Sequence, residues 1–188
     1  MIDVHIIERD KPFAEWLATA LASIPTDICT IHHFKAEGNP IWKNRIKGYS
    51  LGEHEYVSFV DDDDYVHEGA FEACLDWLET HPDCDAVGTF EEMLLPSGEI
   101  KVLDIDKCLS MDFASSKGYW LMLHHVVVFR RTSLVPFLRF MQGEIHSEHV
   151  LKLAMFNAGL KAKMLPIIGY TWRRHSSSYS VDHLNRGV

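Results

Sequence analysis

Apolar and polar positions along this chain alternate between a strand period and a helix period. "DVHII" (3–7) is brief, β-rich and closed by charged residues, the pattern of a short buried strand. In "KPFAEWLATALASIP" the apolar residues Phe13, Trp16, Leu17, Ala20 and Leu21 recur at helical spacing. Pro12 suits the first turn of that helix and Pro25 helps to stop it. "DICTIHHF" predicts a second strand, "NPIWKNRIKGYSLGEH" a polar-faced helix, and "YVSFV" a third strand. After "DDDD", the stretch "EGAFEACLDWLETHP" puts Phe71, Cys74, Leu75 and Leu78 on one helical face and ends before Pro82. "CDAVGTFEEMLLPSGEIKVLD" reads as two strands around a "PSGE" turn. "YWLMLHHVVVFRR" predicts a longer apolar strand. "TSLVPFLRFM" and "SEHVLKLAMFNAG" are helical, the second closed by Gly159. "LKAKMLPIIGYTWRR" is a last strand region, followed by a polar tail from about residue 176.

Strands alternating with helices in the first half predict a largely parallel, doubly covered sheet, with the hairpin and later strands making it mixed at one edge. With 188 residues, 47% of them hydrophobic, one domain with one core is expected. The 18 Lys and Arg against 27 Asp and Glu, a net charge of -9, disfavour a non-specific polyanion binder. They do not exclude a nucleotide whose charge a metal neutralises. Cys29, Cys74, Cys84 and Cys108 have no C-x-x-C spacing and read as reduced structural thiols. Charges enter "MIDVHIIERDKP" too early for a signal peptide, and no apolar run is long enough to span a bilayer, so a cytoplasmic location is expected.

The feature that calls for chemistry is Asp61 to Asp64, at the end of the third predicted strand. In open α/β sheets ligands collect at the carboxyl ends of strands. Clustered carboxylates raise one another's pKa unless a cation intervenes. No Lys or Arg lies between Tyr56 and Lys101, so a hard divalent cation, Mn²⁺ or Mg²⁺, is the simplest partner, bridging to a phosphate. A solvated acidic turn at the start of a helix would suit one or two aspartates, not four. An EF-hand would need Gly where Val66 stands. A haloacid-dehalogenase-type phosphatase matches only partly, through Asp61, Asp63 and Tyr65, and carries its nucleophile on the first strand instead. "HSEH" is not H-E-x-x-H, which excludes the zinc-protease pattern, and the His32–His33 and His124–His125 pairs lack metal-ligand spacing and read as core or surface residues.

"KNRIKGYSLGEHEYVSFVDDDD", with Asn44, Arg45, Gly48, Gly52, Tyr56 and Phe59 ahead of the aspartates, resembles the nucleotide-sugar-binding half of GT-A glycosyltransferases, particularly family 2-like enzymes and their DXD motif. The resemblance implies an α/β, GT-A (Rossmann-like) single domain over 1–188, with a mostly parallel, mixed central sheet flanked by helices. It implies that Asp61 and Asp62 face the donor with Arg45, Glu8, Arg9 and Arg173, while Asp63, Asp64 and His175 hold the metal. Glu148, at the start of the late helix where the family has an acidic pair, is the implied catalytic base; His149 stands where the second acid is usual. Gly118, Tyr119 and Trp120 resemble the acceptor loop.

The activity so implied is metal-dependent transfer of a sugar from a nucleotide-diphosphate sugar to an acceptor hydroxyl, with inversion. The acceptor would be a saccharide, a protein or a modified nucleic acid, the acidic balance making the last the least favoured. A short chain with little sequence for an acceptor site points to a partner or a homo-oligomer. Two other readings stay open: a phosphohydrolase with Asp61 as nucleophile, and a non-catalytic nucleotide-sugar-binding module.

Overall fold

The structure, a computed structural model, describes residues 1–9, 14–38, 40–102, 119–120, 122–141 and 147–175. Its strands are β1 (Ile2–Glu8), β2 (Cys29–Lys35), β3 (Tyr56–Asp61), β4 (Tyr65–Val66), β5 (Ala86–Leu94), β6 (Ile100–Val102), β7 (Val127–Arg130) and β8 (Ala162–Arg173). The helices are α1 (Ala14–Ala22), α2 (Ile41–Tyr49), α3 (Ala70–Thr80), α4 (Arg131–Leu134), which runs on into a 3₁₀ turn Val135–Phe140, and α5 (Ser147–Asn157). No helix among the described residues is long and apolar enough to cross a membrane.

The sheet order is β2-β1-β3-β7-β5-β8-β4, with β6 hairpinned onto β5. Both neighbours of β1 lie parallel to it, as β8 does to β5, whereas β7 runs antiparallel between β3 and β5. Reversing twice across β7 leaves β1, β2, β3, β5 and β8 pointing the same way. The sheet is therefore mostly parallel and mixed, but its reversed strand sits at the centre rather than only at an edge. The carboxyl ends of β1, β3, β5 and β8 consequently share one rim.

The long strand expected from Tyr119 onward is reduced to β7. Tyr119, Trp120 and Met122 are helical, with Leu123 N–H donating to Tyr119 O at 3.0 Å. Trp120 is fully buried and its indole N–H donates to Leu160 O at 3.1 Å, so burial of one large ring overrides the strand propensity of the run. Further along, Pro166 in β8 cannot donate to the ladder, and the β5–β8 register slips beside it, with Leu165 opposite Thr89 but Ile168 opposite Phe90.

Each face of the sheet has its own core. Ile2, Val4 and Ile6 of β1 pack with Ala20 of α1 and Phe71, Cys74, Leu75 and Leu78 of α3. Val57 and Phe59 of β3 pack on the other face with Tyr49 of α2, Leu134, Leu138, and Leu151 and Met155 of α5. The period of two therefore sends Asp3 and His5 of β1 under α2, where glycine makes room. A Cβ on Gly48 would lie 2.3 Å from the His5 ring, and one on Gly52 would lie 2.2 Å from the Asp3 carboxylate. Gly52 also has φ +74, a conformation that L side chains rarely adopt. Cys29, Cys74 and Cys84 are buried free thiols, as expected; Cys108 lies outside the described residues.

Asp3 ties this face to α4. Its carboxylate accepts from Arg131 at 2.7 Å, His32 at 2.8 Å and the His54 N–H at 2.8 Å. Burial by itself would raise its pKa, but the His32, His54 and Arg131 partners outweigh burial and hold it below the ordinary value. A depressed carboxylate stabilises the fold above its ordinary pKa and loses that contribution as pH falls through the folded value. Asp3→Asn is expected to lower stability by about 1–3 kcal/mol near neutral pH, in urea denaturation, with the gap closing at acid pH. Gly52→Ala should destabilise by roughly 2 kcal/mol or more at any pH, since it combines the clash with backbone strain.

Candidate functional site

Asp61 shares the parity of Val57 and Phe59, so the strand period turns its side chain toward α2 and α5. There Arg45 Nη2 lies 2.6 Å from Asp61 Oδ1, and Arg45 Nε lies 3.1 Å from Glu148 Oε1. The second contact is an ion pair without hydrogen-bond alignment. The guanidinium is buried and stacks on the Phe59 ring with its carbon 3.8 Å from the centroid. Arg45 thus joins the end of β3 to the first turn of α5. Burial would raise the Asp61 pKa, but Arg45 and His125 hold it well below the carboxylate range.

His125, in the turn before β7, closes the other side of Asp61. Its Nε2 lies 3.5 Å from Asp61 Oδ2, while Nδ1 hydrogen-bonds Glu91 within β5. The imidazole stacks on Tyr170, centroids 4.5 Å apart and planes 5° from parallel. Burial would lower the His125 pKa, but Glu91 and Asp61 together push it up to about 10. Lys152, one turn beyond Glu148 on α5, is buried and donates to the Leu123 carbonyl, anchoring the segment that carries His125.

The other three aspartates turn toward β1 and β8. Asp62 accepts from the Arg9 backbone N–H at 2.9 Å and from Arg9 Nε at 2.8 Å. Asp63 Oδ2 is 2.5 Å from Arg9 Nη2 and 2.7 Å from His175 Nε2. Asp64 accepts from Tyr170 Oη at 3.0 Å and from the Arg173 backbone N–H at 2.7 Å. Arg173 also donates to the Asp63 carbonyl at 2.7 Å and lies over the Tyr65 ring. Burial, reinforced by the charge of Asp63, raises the Asp64 pKa well above the carboxylate range. Burial likewise raises Asp62, against the opposing pull of Arg9. The ligand atoms of Asp61, Asp64 and His125 all lie within 4.8 Å of one another, so acidic and imidazole groups that could hold a metal ion are already gathered.

Of the residues expected at the site, Asp61, Asp62, Asp63, Asp64, Arg9, Arg45, Glu148, Arg173 and His175 converge on this rim. Glu8 turns sideways to β2, pairing with His33 at 2.9 Å and Lys35 at 3.6 Å. Tyr119 is half-buried, its hydroxyl 3.5 Å from Lys163 Nζ, while Trp120 is a core residue. Gly118 lies outside the described residues. Sequence reasoning missed Glu91, His125, Lys152 and Tyr170. The adjacent pair His124–His125 opening an apolar run was the available signal; the other three carry none, since Glu91, Lys152 and Tyr170 look like ordinary members of their elements.

No protein-family model and no curated protein matches the sequence. Solved structures do. S. aureus TarS 1–349 in complex with UDP-GlcNAc superposes at a TM-score of 0.73 with 13% identity, over 95% of this chain and 60% of that one. The same protein in complex with UDP gives a TM-score of 0.66 with 12% identity, over 93% of this chain and 61% of that one. Likeness at this identity shows that the chain shares the fold of TarS, an α/β arrangement with a mixed sheet flanked by helices. The chain spans only about three-fifths of the length of those structures.

If Arg45 is the shared counter-ion, Arg45→Met leaves two partly buried carboxylates without it and should cost about 3 kcal/mol in urea denaturation. A double-mutant cycle with Glu148→Gln should return a coupling of about 1–3 kcal/mol. Additive effects would separate Glu148 from the Asp61 cluster.

Proposed function

We propose that the chain transfers a sugar from a nucleotide-diphosphate sugar to an acceptor hydroxyl, with inversion. The observation that supports it most is the convergence on one sheet rim of Asp61–Asp64 with Arg9, Arg173 and His175, in a chain that folds like a protein solved with UDP-GlcNAc and with UDP. A UDP-sugar is accordingly the first donor class to test, and a saccharide the first acceptor class.

Acidic and imidazole groups that could hold a divalent cation meet at this rim, with the ligand atoms of Asp61, Asp64 and His125 within 4.8 Å of one another. Asp63 already faces an imidazole nitrogen at 2.7 Å, and Asp64 is a carboxyl whose negative form is disfavoured by burial and by the Asp63 charge. Asp63, Asp64 and His175 would hold the ion, Mn²⁺ suiting the nitrogen donor better than Mg²⁺. Bound there, it supplies Lewis-acid stabilisation of a diphosphate leaving group.

The chain's own groups supply the rest. Asp61 and Asp62 orient the donor's hydroxyls, Asp61 in an ionised form fixed by Arg45 and His125. Glu148 accepts the proton of the acceptor hydroxyl as that oxygen bonds to the anomeric carbon. The bond from the anomeric carbon to the diphosphate oxygen breaks, and its electron pair leaves with the diphosphate. Arg9 and Arg173 meet the charge that builds there, and such stabilisation dominates the rate of this class of step. One carboxylate base, with a second carboxylate given to the donor, suits single displacement.

A thermal-shift panel of nucleotide sugars with Mn²⁺ tests the reading. At about 100 times the dissociation constant, a true donor raises the melting temperature by about 5–10 °C. Asp63→Asn should abolish the metal-dependent part of that shift. Glu148→Gln should keep the shift and lose transfer by at least about a hundredfold, the usual span for a general base. Hydrolysis of phosphomonoesters with no response to any nucleotide sugar would replace this reading with phosphohydrolase chemistry.

A further inference from the structure

Beside the acidic run, β5 and the turn before β7 bring together a second set of ligand-type groups. The Nδ1 atoms of His124 and His125 both face Glu91 Oε2, His124 at 3.3 Å and His125 closer still. Those three ligand atoms lie within 4.8 Å of one another. Adjacent residues on a strand point to opposite faces, so two neighbouring imidazoles can serve one point only where the chain turns. It turns here: Val126, a β-branched residue, has φ 40, and the two rings stand 4.0 Å apart at 70°.

We propose that Glu91, His124 and His125 form a binding site for a borderline-soft divalent transition ion of the Zn²⁺ or Co²⁺ class, distinct from the acidic run. Two of three donors are imidazole nitrogens, which disfavours Mg²⁺ and Ca²⁺. His125 binds through Nδ1 while its Nε2 faces the Asp61 carboxylate, the arrangement by which a second carboxylate orients a metal-bound imidazole. The His124 side chain is 50% exposed, so the ion keeps an open position toward solvent. In that place the ion substitutes for the proton that Glu91 and the imidazoles otherwise share. The competing grouping of Asp61, Asp64 and His125 uses Nε2 and belongs to the acidic run.

The inference does not rest on sugar transfer, although His125 is common to both, so Co²⁺ binding is read directly and without any transfer assay. The full chain, stripped with EDTA, is titrated with Co²⁺ and followed by visible ligand-field absorption and by calorimetry. One equivalent should bind at this site and develop ligand-field bands that are separate from any ion held by Asp63, Asp64 and His175. His124→Ala and Glu91→Gln should each weaken binding at least about tenfold, with Asp63→Asn unchanged. Because His124 is half-exposed, its variant should keep the wild-type circular dichroism and metal-free melting temperature, so lost binding reads as a lost ligand. Wild-type binding by His124→Ala, or bands lost in Asp63→Asn and kept in His124→Ala, would overturn the proposal, as would no Co²⁺ absorption at all.

Discussion

Four consecutive carboxylates at a strand end repel one another, and the rest of this structure is arranged so that they can stay there. None of the neutralising groups is local. Arg9 arrives from the end of β1, Arg45 from α2, His125 from the turn before β7, and Arg173 and His175 from the end of β8. The sheet order makes this assembly feasible. With β7 reversed between two parallel blocks, the carboxyl ends of β1, β3, β5 and β8 fall on one rim, and whatever follows them meets Asp61–Asp64.

Within that rim the aspartates divide into two environments. Asp61 is held ionised by a buried guanidinium and a buried imidazole, whereas burial and the neighbouring Asp63 charge push Asp64 toward its neutral form. Carboxyl groups so close in sequence and so far apart in charge state suit different tasks: one a permanent anion, the other a group that becomes an anion when a cation arrives. Arg45 adds a further link, since it is in contact with both Asp61 and Glu148. Displacing Asp61 therefore changes the field at Glu148, so the two carboxylates share one support.

Much of the architecture was readable from pattern. The helix faces of α1 and α3, the hairpin around "PSGE" and the terminal glycine after α5 all follow from local period and turn chemistry. The acidic run and its upstream glycines were legible too, and their reason is now physical: Gly48 and Gly52 leave room for His5 and Asp3 beneath α2. The extent of β7 was not legible, because its apolar run suits either a strand or a buried helical turn, and only the pocket that receives Trp120 decides between them.

By itself, then, the sequence determined the alternation of elements, an α/β sheet, and a strand ending in negative charge that needs a positive partner. Tertiary structure decided which partners those are. Glu91, His125 and Tyr170 acquire their roles from strand order, which places β5, β7 and β8 beside β3. Local propensity acts over a few residues, whereas Asp64 and Tyr170 stand 106 positions apart, and nothing short of the closed sheet brings such groups within hydrogen-bond reach.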